Sequence, residues 1–173
     1  MDDLLAGVRS VLATTPARWT LLATTVPDDL LRREPEPGEW AAIDCLRHLR
    51  DAERDVFQFR LEAFRAGQDL VPYDPGRDGS ASTGETAPAL AEDFARLRAV
   101  SLETIAKVRP EELAITVTHG EYGPVQLGAM LHYWAAHDLM HTMQAECALM
   151  QPFITSSGPW RVMCADYDVE DVT

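Results

Sequence analysis

Two histidines four residues apart, His137 and His141 in the stretch HDLMH, are the strongest chemical signal in this chain. On a helix, such a pair shares one face, and two imidazoles so placed can reach one cation at ~2.0 to 2.1 Å if zinc is bound. A metal site needs another ligand from elsewhere. His48 is the best candidate, because it lies in the middle of a second long amphipathic segment that should pack on the first. Three histidines would leave a coordination position open. The bland alternative is a pair of imidazoles packed in a core, since this spacing also arises by chance.

Two known metal signatures fit poorly. A metalloprotease HExxH needs a glutamate to reach the activated water, and here the second residue is Asp138, shorter by a methylene. Asp138 is better read as a partner that orients an imidazole, or as a carboxylate at the rim that tunes bound water. A di-iron bundle needs inward glutamates and two Glu-xx-His pairs, whereas His48 has Cys45 at that offset and His141 has Asp138. His132 is angularly removed from His137, and His119 sits in a turn without a partner at helical spacing. Both are expected to be bystanders.

These residues are carried by segments with helical periodicity. Leu4, Leu5, Val8, Val11 and Leu12 form a first apolar stripe, and Thr15-Pro16 resembles a cap followed by proline, which predicts a kink or restart. A proline- and acid-rich stretch, PDDLLRREPEPGEW, leads to a second helix from Trp40 to about Phe64, with Gly67 as its stop. Residues 68–87 are turn formers, long for a connection, and Tyr73, Asp74 and Arg77 within them are candidate contacts for a polar substrate. A third helix follows from about Pro88 to Val108. AITVTHGEYGPVQ predicts a short extended arm or hairpin. The last long helix runs from about Val125 to Met150 with Pro152 as its end, and a short helix is expected near Trp160. Four long helices without convincing strands predict an all-α four-helix bundle, read as a single domain over 1–173.

Composition narrows the function. The 173 residues are 46% hydrophobic and 25% charged, a globular balance, and no apolar run approaches the ~20 residues of a membrane span. A net charge of -13 would repel a phosphate backbone, so a nucleic-acid partner is not expected. The acidic N-terminus lacks the pattern of a secretory signal, which makes the cytoplasm the expected compartment. Cys45, Cys147 and Cys164 form no CxxC pair and are expected to be buried small hydrophobes.

Several stretches together resemble the DinB-like (DinB/YfiT) superfamily of metalloenzymes: Pro35 to Trp40 (PEPGEW), Leu46 to Arg54 (LRHLRDAER), Thr118 to Leu127 (THGEYGPVQL), Trp134 to Gln144 (WAAHDLMHTMQ) and Gly158 to Arg161 (GPWR). They cover nearly the whole chain in the right order. The resemblance implies a bundle in up-down-down-up order, and a divalent metal, zinc or nickel before others, held by His48, His137 and His141. It implies no ligand role for His119. Relatives of this kind include thiol-dependent transferases and isomerases that use bacillithiol or mycothiol, so transfer of a low-molecular-weight thiol to a small electrophile is one implied activity. Coordination lowers a thiol's pKa and holds the thiolate ready. The same triad could instead activate water for hydrolysis. A third possibility is a non-catalytic homodimer that binds a metal or small molecule, for which the first and last helices should expose apolar patches.

Overall fold

The computed structural model describes residues 2–74, 79 and 84–169. Helix α1 (Asp2–Thr25) is followed by the single turn α2 (Asp28–Leu31). The second long element is α3 (Ala42–Ala52), a π-helical turn at Glu53–Phe57 and α4 (Gln58–Ala66). Helix α5 (Ala87–Ile105) leads through a 3-10 turn at Pro110–Ala114 to an antiparallel hairpin, β1 (Thr116–His119) and β2 (Gly123–Gln126). Helix α6 (Leu127–Ser156) and a 3-10 segment at Gly158–Tyr167 complete the described chain.

Side-chain pairings fix the direction of each helix. Thr15 meets Asp138 and Arg18 meets Glu146, so α1 and α6 run parallel. Glu53 meets Arg98 and Gln58 meets Ser101, so the second and third long elements are also parallel to each other. His48 faces His137 while Phe57 stacks on Trp134, so the second element opposes α6. The bundle is therefore up-down-down-up. Two parallel neighbours cannot be joined by a tight turn, which is why the connection between α4 and α5 is long.

The core falls into two apolar clusters. One gathers Leu12, Phe57, Leu61, Phe64, Ile105 and Trp134 toward the hairpin; the other gathers Trp19, Leu46, Leu49, Leu90, Phe94 and Ala145. Between them all four long elements contribute to a buried polar layer: Thr15, Glu53, Arg98 and Asp138, none more than 1% exposed. Asp138 accepts from Arg98 Nη1 at 2.6 Å, from Arg98 Nη2 at 3.0 Å and from the Thr15 hydroxyl at 2.7 Å. Glu53 Oε2 accepts from Arg98 Nη2 at 2.9 Å and from the Trp134 indole at 3.2 Å. Burial by itself would lower the Arg98 pKa, but Asp138 and Glu53 outweigh it and hold the guanidinium firmly charged.

That layer explains why the predicted break at Thr15-Pro16 does not occur. Proline lacks the N–H that would bond the Leu12 carbonyl, and Arg98 Nη1 donates to that carbonyl at 3.0 Å instead. α1 therefore passes through Pro16 unbroken. Pro152 likewise fails to end α6. Burial of Ile154 favours continuing the helix, and Gln151 ties it to the tail by donating to the Tyr167 carbonyl at 2.9 Å.

Gly67, at φ 63°, closes α4 in the left-handed region, which a side chain would disfavour. The start of the long connection is then pinned, not loose: Leu70 N–H donates to the Thr118 carbonyl at 2.8 Å, and Asp69 accepts from Thr118 N–H at 3.0 Å. Arg77 lies outside the described residues. All three cysteines are free, and only Cys45 is buried, its thiol pushed up to about 12 chiefly by that burial; Cys147 and Cys164 are partly exposed, against expectation. No helix among the described residues is long and apolar enough to cross a membrane.

Candidate metal centre

Helix α6 turns its apolar face, Leu127, Met130, Leu131, Trp134 and Ala145, into the bundle and carries Asp138 and His141 on that face, with His137 beside it. Its partner α3 brings His48 to the same level. The three imidazoles converge: ring centroids lie 5.0 Å apart for His48 and His137, 4.5 Å for His48 and His141, and 4.5 Å for His137 and His141. One ligand nitrogen from each falls within 4.8 Å of the other two, and His48 Nε2 stands 3.0 Å from His137 Nε2. Nitrogens around a tetrahedral zinc at ~2.05 Å would be about 3.3 Å apart. The group could hold a divalent cation with little adjustment.

The donor set fits the cation chemically. Burial, and then the other imidazoles, push His137 down to about 2; burial and then His141 push His48 down to about 4; burial also lowers His141. All three are therefore neutral at pH 7 and offer lone pairs without first losing protons. His141 Nδ1 contacts the Gln144 side-chain oxygen at 2.9 Å, so that nitrogen carries the proton and Nε2 is left as the donor atom. His137 Nδ1 is buried without a hydrogen bond.

The surroundings are apolar and aromatic. Trp40 stacks on His141 at 5.7 Å and tilts against His48 at 5.1 Å, while Phe57 meets His137 edge-on at 5.3 Å. The imidazoles open into a cleft of about 240 Å³ whose other walls include Arg60, Tyr73, Tyr133 and Met140. Of the loop residues proposed from sequence, Tyr73 reaches this cleft. Asp138 departs from expectation: it is neither at the rim nor bonded to an imidazole, but sits in the polar layer. Its charge still reaches His141, where it opposes the lowering. His132 is exposed. His119 is buried at the end of β1, away from the triad, and is no idle turn residue: its Nδ1 accepts from Glu121 N–H at 3.1 Å and from Tyr122 N–H at 3.4 Å.

Sequence reasoning assigned no role to Gln144, Trp40 or Arg60. Gln144, three residues after His141, is within reach on a helix, and that spacing was the available signal. Trp40 and Gln144 each close a stretch that carries the family resemblance, while Arg60 gave no signal.

Fold and site together place the chain in a known class: it belongs to the DinB superfamily, whose family model matches residues 12–145. Among solved structures, that of YfiT from Bacillus subtilis, described as a probable metal-dependent hydrolase with an unusual four-helix bundle topology, is similar with a TM-score of 0.74. The identity is 15%, and the likeness covers 84% of this chain and 85% of that one. This is a likeness of fold. No curated protein matches the sequence.

Proposed function

We propose that the protein is a divalent-metal-dependent enzyme acting on a small molecule, with His48, His137 and His141 as the metal ligands and hydrolysis as the reaction. The observation that carries this reading is the convergence of three neutral, half-buried to buried imidazoles on an open cleft. A divalent cation held there would supply Lewis acidity, polarising a substrate oxygen and acidifying a nucleophile.

The chain's own residues supply the rest. Gln144 fixes the His141 tautomer, the polar layer beside the triad holds the His137 and His141 backbone in place, Phe57 packs edge-on against His137, and Trp40, Ala52 and Val56 give the cleft apolar walls. The fold neighbour's description as a hydrolase is in keeping with water as nucleophile.

Thiol transfer, the reading implied by other relatives, uses the same triad with a thiolate in place of water. Turnover of ester and epoxide substrates by zinc- or nickel-loaded protein, with and without a low-molecular-weight thiol, separates the two. Thiol-independent turnover is expected; strict thiol dependence overturns hydrolysis in favour of transfer. A metal-loaded protein inert toward both, with His48→Ala retaining full metal, overturns the enzyme reading. Exposed Leu139 and Met143 on α6 support the proposal that the protein forms a homodimer, and a monomer in sedimentation would refute dimerisation.

A further inference from the structure

Arg60 is the least compensated cation near the site. Its side chain forms part of the wall of the histidine cleft and also of an adjoining, mostly apolar pocket of about 430 Å³ floored by Leu70, Val125, Ala129 and Met130. Tyr133 is the other residue shared by the two. Among the described residues no carboxylate pairs with Arg60, although the chain carries 28 acidic residues, and its Nε is buried without a hydrogen bond. Burial pulls this guanidinium below its ordinary pKa, the reverse of what the paired Arg98 shows. Even so, an arginine keeps its charge in a protein.

The contact Arg60 does make is between two donors. His119 Nδ1 accepts from two backbone N–H groups and so carries no proton, which puts the ring proton on Nε2. That Nε2 lies 3.5 Å from Arg60 Nη2, and a guanidinium has no acceptor to offer. Burial and then the Arg60 charge lower the His119 pKa, so the ring does not gain a second proton at neutral pH. Glu121, the carboxylate felt at His119, is engaged by the Tyr122 hydroxyl. Two N–H groups, one from α4 and one from the end of β1, thus meet at 3.5 Å, a contact that an acceptor lying against both would relieve, and two donors beside one fixed positive charge select an anion.

The π turn is what brings Arg60 to this wall. Twelve residues along a regular helix rotate by about 120° beyond whole turns, which would turn Arg60 away from His48. A π turn takes up roughly one residue more than an α turn, cancelling most of that rotation. The turn at Glu53–Phe57 lies between the two residues, and both line the cleft.

Taking the triad cleft as the place of reaction, we propose that its substrate is a small oxyanion with an apolar body, a carboxylate or phosphate ester, whose charged group binds between Arg60 and His119 Nε2–H. The apolar body fills the pocket against Leu70 and Met130, and the reacting bond reaches across Tyr133 to the histidines.

The test is binding of three matched probes, phenylacetate, phenyl phosphate and neutral phenylacetamide, to metal-free and zinc-loaded protein by calorimetry, with the His119 Nε2–H proton followed by NMR. Wild-type protein is expected to bind at least one anion about tenfold or more tightly than the amide, in both metal states, with a downfield shift of that proton. The stronger of the two anions identifies the carboxylate or the phosphoryl class. Arg60→Met should erase the preference while leaving amide binding and zinc uptake intact, and Arg60→Lys should keep part of it. His48→Ala should lose zinc yet keep the anion preference, so failure of the metal reading and failure of this one look different. Equal affinity for anions and amide, or an unchanged preference in Arg60→Met, overturns the proposal. Should Arg60→Met not fold, Arg60→Lys and His119→Phe decide by the same criterion.

Discussion

Two buried polar clusters meet on helix α6 one residue apart, and they are built on opposite plans. Asp138 points into a layer where each charge has a partner of opposite sign and where all four long elements contribute a group. His137 and His141 lie beside it on the same inward part of the helix and turn toward α3, where three imidazoles face one another and, among the described residues, no carboxylate is bonded to any of them. The first arrangement is complete except for Glu53 Oε1 and Arg98 Nε, which lack hydrogen bonds. The second brings imidazole nitrogens together without opposite charge, His48 Nε2 standing 3.0 Å from His137 Nε2, and His137 Nδ1 is buried without a hydrogen bond. Buried polarity that compensates itself serves the fold, and buried polarity that does not is where a ligand belongs.

The contrast can be broken most forcefully at its paired side. Arg98→Met strands two buried carboxylates and is expected to lower stability by about 3–5 kcal/mol in urea unfolding of metal-free protein. A loss under ~1 kcal/mol would mean that the layer is not what holds the bundle. On the ligand side, wild-type protein at a hundredfold excess of zinc over its Kd should gain about 2.7 kcal/mol, and His137→Ala should gain nothing, while its metal-free stability suffers far less than that of Arg98→Met. An undiminished zinc response in His137→Ala would remove that residue from the centre.

Acid separates the clusters again. The folded-state values of His48, about 4, and His137, about 2, lie below the ~6.5 of an unfolded histidine. The unfolded chain therefore binds more protons between those limits, so metal-free stability is full above pH ~6.5 and falls as pH drops toward 4 and below. Replacing both residues by glutamine should flatten that part of the stability–pH curve; an unaltered slope would show that other groups carry it. The smallest effect is expected at the edge of the polar layer, where Thr15→Val removes one hydroxyl from Asp138 and should cost about 1 kcal/mol by thermal unfolding. A loss comparable to that of Arg98→Met would contradict this ranking.

Helical periodicity made the four long elements readable, along with the hairpin signalled by Gly-Glu-Tyr-Gly, because both depend on local patterns of apolar and turn residues. Spacing and resemblance pointed to the three histidines, and they do converge. What could not be read required knowing what stands opposite. Proline rules at Pro16 consider only the helix's own N–H groups, and the donor that replaces the lost one comes from Arg98, 86 residues away from Leu12. Asp138 reads as a partner of an imidazole or a rim carboxylate because the sequence does not show Arg98 facing it. His119 looked idle for the same reason: its Nδ1 partners are backbone groups, and its Nε2 neighbour is Arg60 on α4, 59 residues earlier in the chain.

The π turn at Glu53–Phe57 makes the second long element behave as two rulers laid end to end with a phase offset. His48 is graduated on one and Arg60 on the other. Substitutions that let the turn relax into regular α-helix without shortening the chain would leave the histidines where they are and swing every residue of α4 by about 100°. The cleft would then present a different set of side chains opposite an unaltered triad. A change of pitch in one turn, with no change in any of the three histidines, is thus enough to alter what lines the cleft.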